Sequence, residues 1–184
     1  MSESYPPVEV RRAEPSDADA IESVAEAAWE ADYPDVLHRE NVAEAAAEWY
    51  ETSSMADSLS DPRTVAYVAC LEGEAVVGFV HAYDDSGRDR PDARDVDEET
   101  ADGYVFRAYV QPDYRERGIG TDLLEAAVTA LHDRDCDRIR ANVLAENEPG
   151  QSFYAAHGFE REGITGETEV GGEYYEELSF VRER

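Results

Sequence analysis

The 184-residue chain contains no lysine, and all 16 of its basic residues are arginine. That absence excludes Schiff-base chemistry on a side chain, and it excludes a Walker phosphate loop, which needs Gly-Lys-Ser/Thr. Cysteine is scarce too. Cys70 and Cys136 are too few and too far apart for a disulfide framework or a cysteine metal set. Cys70 lies in an apolar run and reads as a small buried hydrophobe. His38, His81, His132 and His157 show no ligand spacing, so no metal is expected. No uncharged run approaches the roughly 18 residues of a membrane span, and residues 1–7 lack the basic and apolar regions of a signal peptide. The expectation is a soluble, cytoplasmic protein.

Carboxylates are abundant: 44 acidic residues against 16 arginines give a net charge of −28. Such a surface repels phosphate backbones and anionic membranes, so neither nucleic acid nor a membrane is an expected partner. One use for the charge is attraction of a cationic substrate. The acids, however, are scattered along every segment. With the missing lysine, that spread reads better as adaptation of a halophilic protein to molar salt, where the screening length falls to about 3 Å. The length suits one domain, residues 1–184, with a core from about 8 to 181.

Along the chain, residues 8–13 alternate as a first strand. Pro15-Ser16-Asp17 then caps a helix from Ala18 to Trp29, whose apolar face is Ile21, Val24, Ala25, Ala28 and Trp29. Tyr33-Pro34-Asp35 interrupts it, and an alanine-rich second helix is expected over 39–50. Residues 64–71 and 75–83 read as strands around a tight turn at Glu72-Gly73-Glu74. The acidic stretch 84–102 reads as an extended loop without calcium-loop spacing. Residues 103–110 form a further strand, 137–144 another, and Glu148-Pro149-Gly150 opens a short helix ended by Gly158. Strands at 159–163 and 174–181 close the chain around Gly171-Gly172. Strands before, between and after helices predict an α/β (α+β) fold: a mixed, mostly antiparallel sheet of six or seven strands with about four helices.

The chemistry centres on Val110-Gln111-Pro112-Asp113-Tyr114-Arg115-Glu116-Arg117-Gly118-Ile119-Gly120-Thr121. It joins the strand 103–110 to a helix whose apolar stripe is Ile119, Leu123, Leu124, Ala127, Val128 and Leu131. The first N–H groups of a helix lack internal partners and carry partial positive charge. Without Cβ atoms at 118 and 120, successive amides can wrap a pyrophosphate, and Arg115 and Arg117 add cations. An ordinary solvated loop is the alternative. A dinucleotide fingerprint fails, because Leu123 stands where its third glycine belongs. Gly150-Gln151-Ser152 begins like a nucleophile elbow, but Tyr154 replaces the closing glycine.

The pattern Arg-x-x-Gly-x-Gly, met by Arg115, Gly118 and Gly120, resembles the acetyl-CoA loop of the GCN5-related N-acetyltransferases (GNAT). Asn142-Val143-Leu144-Ala145-Glu146-Asn147 and Ser152-Phe153-Tyr154-Ala155-Ala156-His157-Gly158-Phe159 resemble the family's second block at the expected distance. The likeness implies transfer of acetyl from acetyl-CoA to a primary amine of a small molecule or peptide N-terminus, by direct attack in a ternary complex. It implies Tyr154 as general acid, against the alternative of an aromatic packed beside Phe153 and Phe159. It implies that the strand 103–110 splays from the strand 137–144 to admit the pantetheine arm, which pairs there like an added strand, and that a backbone N–H near Tyr109 or Val110 stabilises the oxyanion. Arg115, Glu116, Arg117, Gly118, Ile119, Gly120 and Thr121 would hold the diphosphate, and Asn147 would touch the coenzyme unless it is merely a polar loop residue. Tyr33 and residues 164–172 would border the acceptor, and homodimers are common in the family. Some members carry a strand glutamate where this chain has Tyr104. Asp102, His81 or Glu30 would have to substitute through a water, unless the amine arrives neutral. A non-catalytic acyl-CoA sensor on the same fold is the competing reading.

Overall fold

The computed structural model describes residues 7–32, 52–71, 75–85, 103–170 and 173–184. Seven strands form one sheet: β1 (Val8–Arg12), β2 (Thr64–Leu71), β3 (Val76–Asp84), β4 (Gly103–Val110), β5 (Arg138–Leu144), β6 (Glu160–Val170) and β7 (Glu173–Glu183). Their order is β1-β2-β3-β4-β5-β7-β6, and every neighbouring pair is antiparallel except β4 with β5. Four α-helices lie among the described residues: α1 (Ala18–Asp32), α2 (Thr52–Ser60), α3 (Ile119–His132) and α4 (Glu148–Ala156).

The helices cover the sheet on two faces, each with its own apolar cluster. On one face the α3 stripe predicted from spacing packs with Val80, Val105, Ile139, Phe180 and, from α4, Tyr154. On the other, Ile21, Val24, Ala25 and Trp29 of α1 and Met55 of α2 pack on Val68, Phe79 and their neighbours. Leu123, Leu124 and Leu131 are completely enclosed; each such side chain contributes about 1.5–3 kcal/mol. The start of α1 is clamped to β1. Both terminal nitrogens of Arg11 reach the Asp17 carboxylate at 2.8 Å, and Asp17 also accepts from the Glu14 N–H at 2.8 Å.

The feature that positions the site is a parting between β4 and β5. Their parallel register holds only from Gly103↔Ile139 to Val105↔Ala141. Next to that point β4 carries an extra residue: His81 faces Arg107 while Ala82 faces Val105, which leaves Phe106 outside the β3 ladder. A bulge bends and twists its strand. Past it β4 leaves β5, which stays paired to β7 as far as Leu144↔Glu177.

Several expectations need correction. The closing strands are longer than predicted, with β6 running on from Glu160 to Val170 and β7 covering Glu173–Glu183. Register shifts around Gly163 and Gly166 let β6 continue through residues that read as a strand end. Residues 164–170 are therefore strand and not loop. Helix α2 was not foreseen; its serine-rich sequence has low helix propensity, and burial of Met55 supplies what propensity does not. The helix expected over 39–50, Tyr33, the 72–74 turn, the 86–102 stretch and Gly171-Gly172 fall outside the described residues.

Candidate active site

A cavity of about 720 Å³ opens where β4 and β5 part. It extends from the N-terminus of α3, along β4 and the end of β5, to α4 and Glu177 of β7.

At the α3 end the chain makes a 3₁₀ turn, Pro112–Tyr114, and then bends sharply. Glu116 and Gly118 both have positive φ, 60° and 80°, and Gly118 is the N-cap of α3. Left-handed residues alternating with ordinary ones turn successive N–H groups toward one concavity. The first bond of the helix runs from the Asp122 N–H to the Gly118 carbonyl at 3.0 Å. The N–H groups of Ile119, Gly120 and Thr121 therefore precede the first helical donor and have no acceptor within the helix, as an anion site requires. A Cβ on Gly118 would meet nothing within 4 Å, so that position is open to a ligand; one on Gly120 would lie 3.4 Å from the Phe153 ring. This cradle fits a diphosphate.

The arginines serve differently. Arg115 donates from Nε to the Val110 carbonyl at 3.0 Å, and its terminal nitrogens grip both oxygens of Asp32, at 2.5 and 3.0 Å. Its charge is thus balanced by the last residue of α1. Arg117 donates to the Asp113 carbonyl at 2.7 Å, lies 5.2 Å over the Tyr114 ring, and is outside the cavity wall. Thr121 meets His157. Nδ1 of that ring is 2.6 Å from the Phe153 carbonyl, which only accepts, so Nδ1 carries the proton and Nε2 accepts from the Thr121 hydroxyl at 2.9 Å. The contact ties α3 to α4.

Along β4, the Gln111 N–H bonds the Val77 carbonyl at 2.8 Å. Alternation then assigns the main-chain groups of Tyr109 and Arg107 to β3 and those of Val110 and Ala108 to the parting. With the Val110 carbonyl held by Arg115, its N–H is the donor facing the cavity. Tyr109 borders it too.

From α4, Tyr154 is buried against Phe153, Phe159 and Phe180 while still bordering the cavity. Burial first, and nearby Tyr109 second, push its phenol above the ordinary tyrosine range, so it stays protonated at physiological pH. Asn147 is the N-cap of α4, accepting from the Gly150 N–H at 3.0 Å, and it too borders the cavity.

The cavity therefore gathers Tyr154, Tyr109, Val110, Arg115, Glu116, Gly118, Ile119, Gly120, Thr121 and Asn147, ten of the eleven residues expected to hold the coenzyme or act as general acid. Neither His81 nor Glu30 borders it: His81 turns Nε2 to Ser58 at 3.1 Å, and Glu30 is exposed on α1. Asp102 lies outside the described residues. Trp29, Asp32, Tyr104, Phe106, Asn142 and Glu177 also border the cavity, and sequence reasoning missed them in this role. The family resemblance implied that the strand 103–110 parts from the strand 137–144, but periodicity alone did not say which side chains of α1, β4, β5 and β7 would border the gap.

The model of the Acetyltransferase (GNAT) family matches residues 21–159. The chain is similar to an uncharacterized N-acetyltransferase of Mycobacterium tuberculosis, 26% identical over 168 residues that cover 91% of this chain and 98% of that protein. It is also similar to the aminoglycoside N(6')-acetyltransferase type 1 of Stenotrophomonas maltophilia, 27% identical over 106 residues, 58% of this chain and 66% of the relative. Among solved structures, its fold is similar to PaiA N-acetyltransferase from Thermoplasma acidophilum in complex with coenzyme A, with a TM-score of 0.76, 19% identity and coverage of 97% and 99%. It is likewise similar to Arabidopsis thaliana NAA60 in complex with a bisubstrate analogue, with a TM-score of 0.69, 19% identity and the same coverage. A parted sheet, an amide cradle on α3 and a family match over most of the chain lead to one conclusion: the chain belongs to the GNAT acetyltransferase family and takes its acetyl group from acetyl-CoA.

Proposed function

We propose that the chain acetylates a primary amine, on a small molecule or a peptide N-terminus, by direct attack while donor and acceptor are bound together. The continuity of one cavity from the α3 cradle to Tyr154 carries this reading. The amides of residues 118–121 hold the diphosphate, and Ala108 and Val110 present main-chain groups to the pantetheine arm as an added strand would. The Val110 N–H supports the carbonyl oxygen as charge develops on it. Tyr154 Oη gives a proton to the departing sulfur; a neutral phenol kept protonated by burial is suited to that step. The spread of carboxylates and the lack of lysine support a cytoplasm of high salt as the working environment.

The test is thiol release from acetyl-CoA against a panel of amines and peptides, with calorimetry of coenzyme A binding. Tyr154→Phe is expected to lower kcat at least about a hundredfold with coenzyme A affinity retained. An unchanged kcat removes Tyr154 from the mechanism. Tight coenzyme A binding without turnover on any amine turns the reading to an acyl-CoA sensor.

A further inference from the structure

Among the described residues, the cavity wall carries three carboxylates: Asp32, Glu116 and Glu177. Asp32 is held by both terminal nitrogens of Arg115. Glu116 sits in the α3 cradle, where an anionic donor binds. Glu177 differs from both. It is half-buried on β7, no guanidinium pairs with it among the described residues, and its Oε2 lies 3.5 Å from Asn142 Nδ2, another cavity group.

Its side of the sheet matters as much as its freedom. Leu178 and Phe180 of β7 pack in the same cluster as Tyr154 and α3. Alternation therefore turns Glu177 to the opposite face. Its register partner Leu144 and its same-face neighbour Tyr175 confirm this, for both pack against the α1 cluster. Tyr154 and Glu177 thus reach one cavity from opposite faces, with the parting of β4 and β5 between them. Acyl transfer needs that arrangement. The incoming nitrogen and the leaving sulfur occupy different sides of the acyl carbon, so an acid serving sulfur and a base serving nitrogen must be separated across it.

The geometry points to Glu177 as the general base of the transfer proposed above, taking a proton from the ammonium form of the acceptor on the face opposite Tyr154. This inference rests on the catalytic reading of the cavity. The carboxylate removes one proton from R–NH3+, and the freed lone pair forms the C–N bond. The C–S bond breaks, its electron pair stays on sulfur, and sulfur takes a proton from Tyr154 Oη. The second proton leaving nitrogen restores the phenol through solvent. Glu177 passes the first proton to water, so ammonium and thioester yield amide, thiol and one proton. Burial raises the Glu177 carboxyl above the ordinary range, against the opposing bond from Asn142, which strengthens it as a proton acceptor.

The experiment compares the full-length wild type with Glu177→Gln in coenzyme A calorimetry and in thiol release from acetyl-CoA. The acceptors are butylamine, strongly basic and protonated at neutral pH, and methoxyamine, weakly basic and already neutral. Glu177→Gln is expected to lower kcat on butylamine at least about a hundredfold, with little change on methoxyamine and unchanged coenzyme A affinity. Equal losses on both amines, or none on butylamine, overturn the assignment. Glu177→Ala with added formate gives an independent reading, since a small carboxylate entering the vacated space restores the butylamine rate; no recovery counts against a base at this position. A wild type that binds coenzyme A but acetylates neither amine overturns the assignment while leaving the donor site standing. A wild type that fails to bind coenzyme A removes the proposed function itself.

Discussion

Gly118 shows how much can rest on one missing Cβ. Its φ of 80° is left-handed, and a methyl group there would touch no protein atom within 4 Å. Gly118→Ala therefore costs only the backbone preference, about 1 kcal/mol, a fall in melting temperature of roughly 2–4 °C for a chain of this size. Its larger effect is on the ligand, because the new methyl stands in the mouth of the cradle. Coenzyme A affinity by calorimetry is expected to fall by about tenfold or more. A variant with the same affinity as wild type would show that the diphosphate does not approach Gly118. The glycine turn was legible in the sequence because its spacing is local, and Tyr154 was singled out through the family resemblance of the block around it. The Arg115–Asp32 pair was not, since 83 residues separate the partners. Glu177 was equally hidden, for nothing in its neighbours distinguishes it from the other carboxylates among the chain's 44 acidic residues.

At the level of elements, β3 and α2 enclose a titrating group unconnected to catalysis. Burial, assisted by the charge of Arg107, lowers the His81 pKa from 6.5 to about 4. Its Nδ1 is buried and has no hydrogen-bond partner among the described residues, so a proton there finds no acceptor among them. The unfolded chain takes up this proton near 6.5 and the folded chain only near 4. Between those values the unfolded state binds more protons, so stability falls as pH drops from about 6.5 toward 4 and is complete above that window. The full effect is on the order of 3 kcal/mol. Denaturant midpoints at pH 7 and pH 5 should therefore differ less in His81→Gln than in wild type; identical slopes would assign the acid sensitivity to other groups. Strongly periodic elements such as α1, β2, β4 and α3 were legible to within a few residues at their ends. Where glycine and polar residues let a strand run on by bulging, as in β6, local pattern had no stop signal to read and misplaced the end. For α2, tertiary burial outweighed weak propensity.

For the molecule as a whole, a net charge of −28 is the dominant physical fact. Like charges spread over one surface repel in dilute buffer, and molar salt screens them beyond about 3 Å. The melting temperature is expected to rise by roughly 10 °C or more between dilute buffer and 2 M KCl, and a flat profile would refute salt adaptation. Whole-sheet organisation was legible only as a class, a mixed and mostly antiparallel sheet. The parting of β4 from β5 was implied by the family resemblance and not by periodicity, which does not announce the extra residue Phe106. That parting has a mechanical consequence. Among the described residues only three register pairs suture the β1–β4 half of the sheet to the β5–β7 half, so the sheet is weakest along that line. A coenzyme laid along it would act as a splint. Amide hydrogen exchange at Ala108 and Val110 should slow when coenzyme A is added, and at a hundred times its Kd the whole fold should gain about 2.7 kcal/mol. Unchanged exchange at both amides would mean that the two halves are held together by their helices alone.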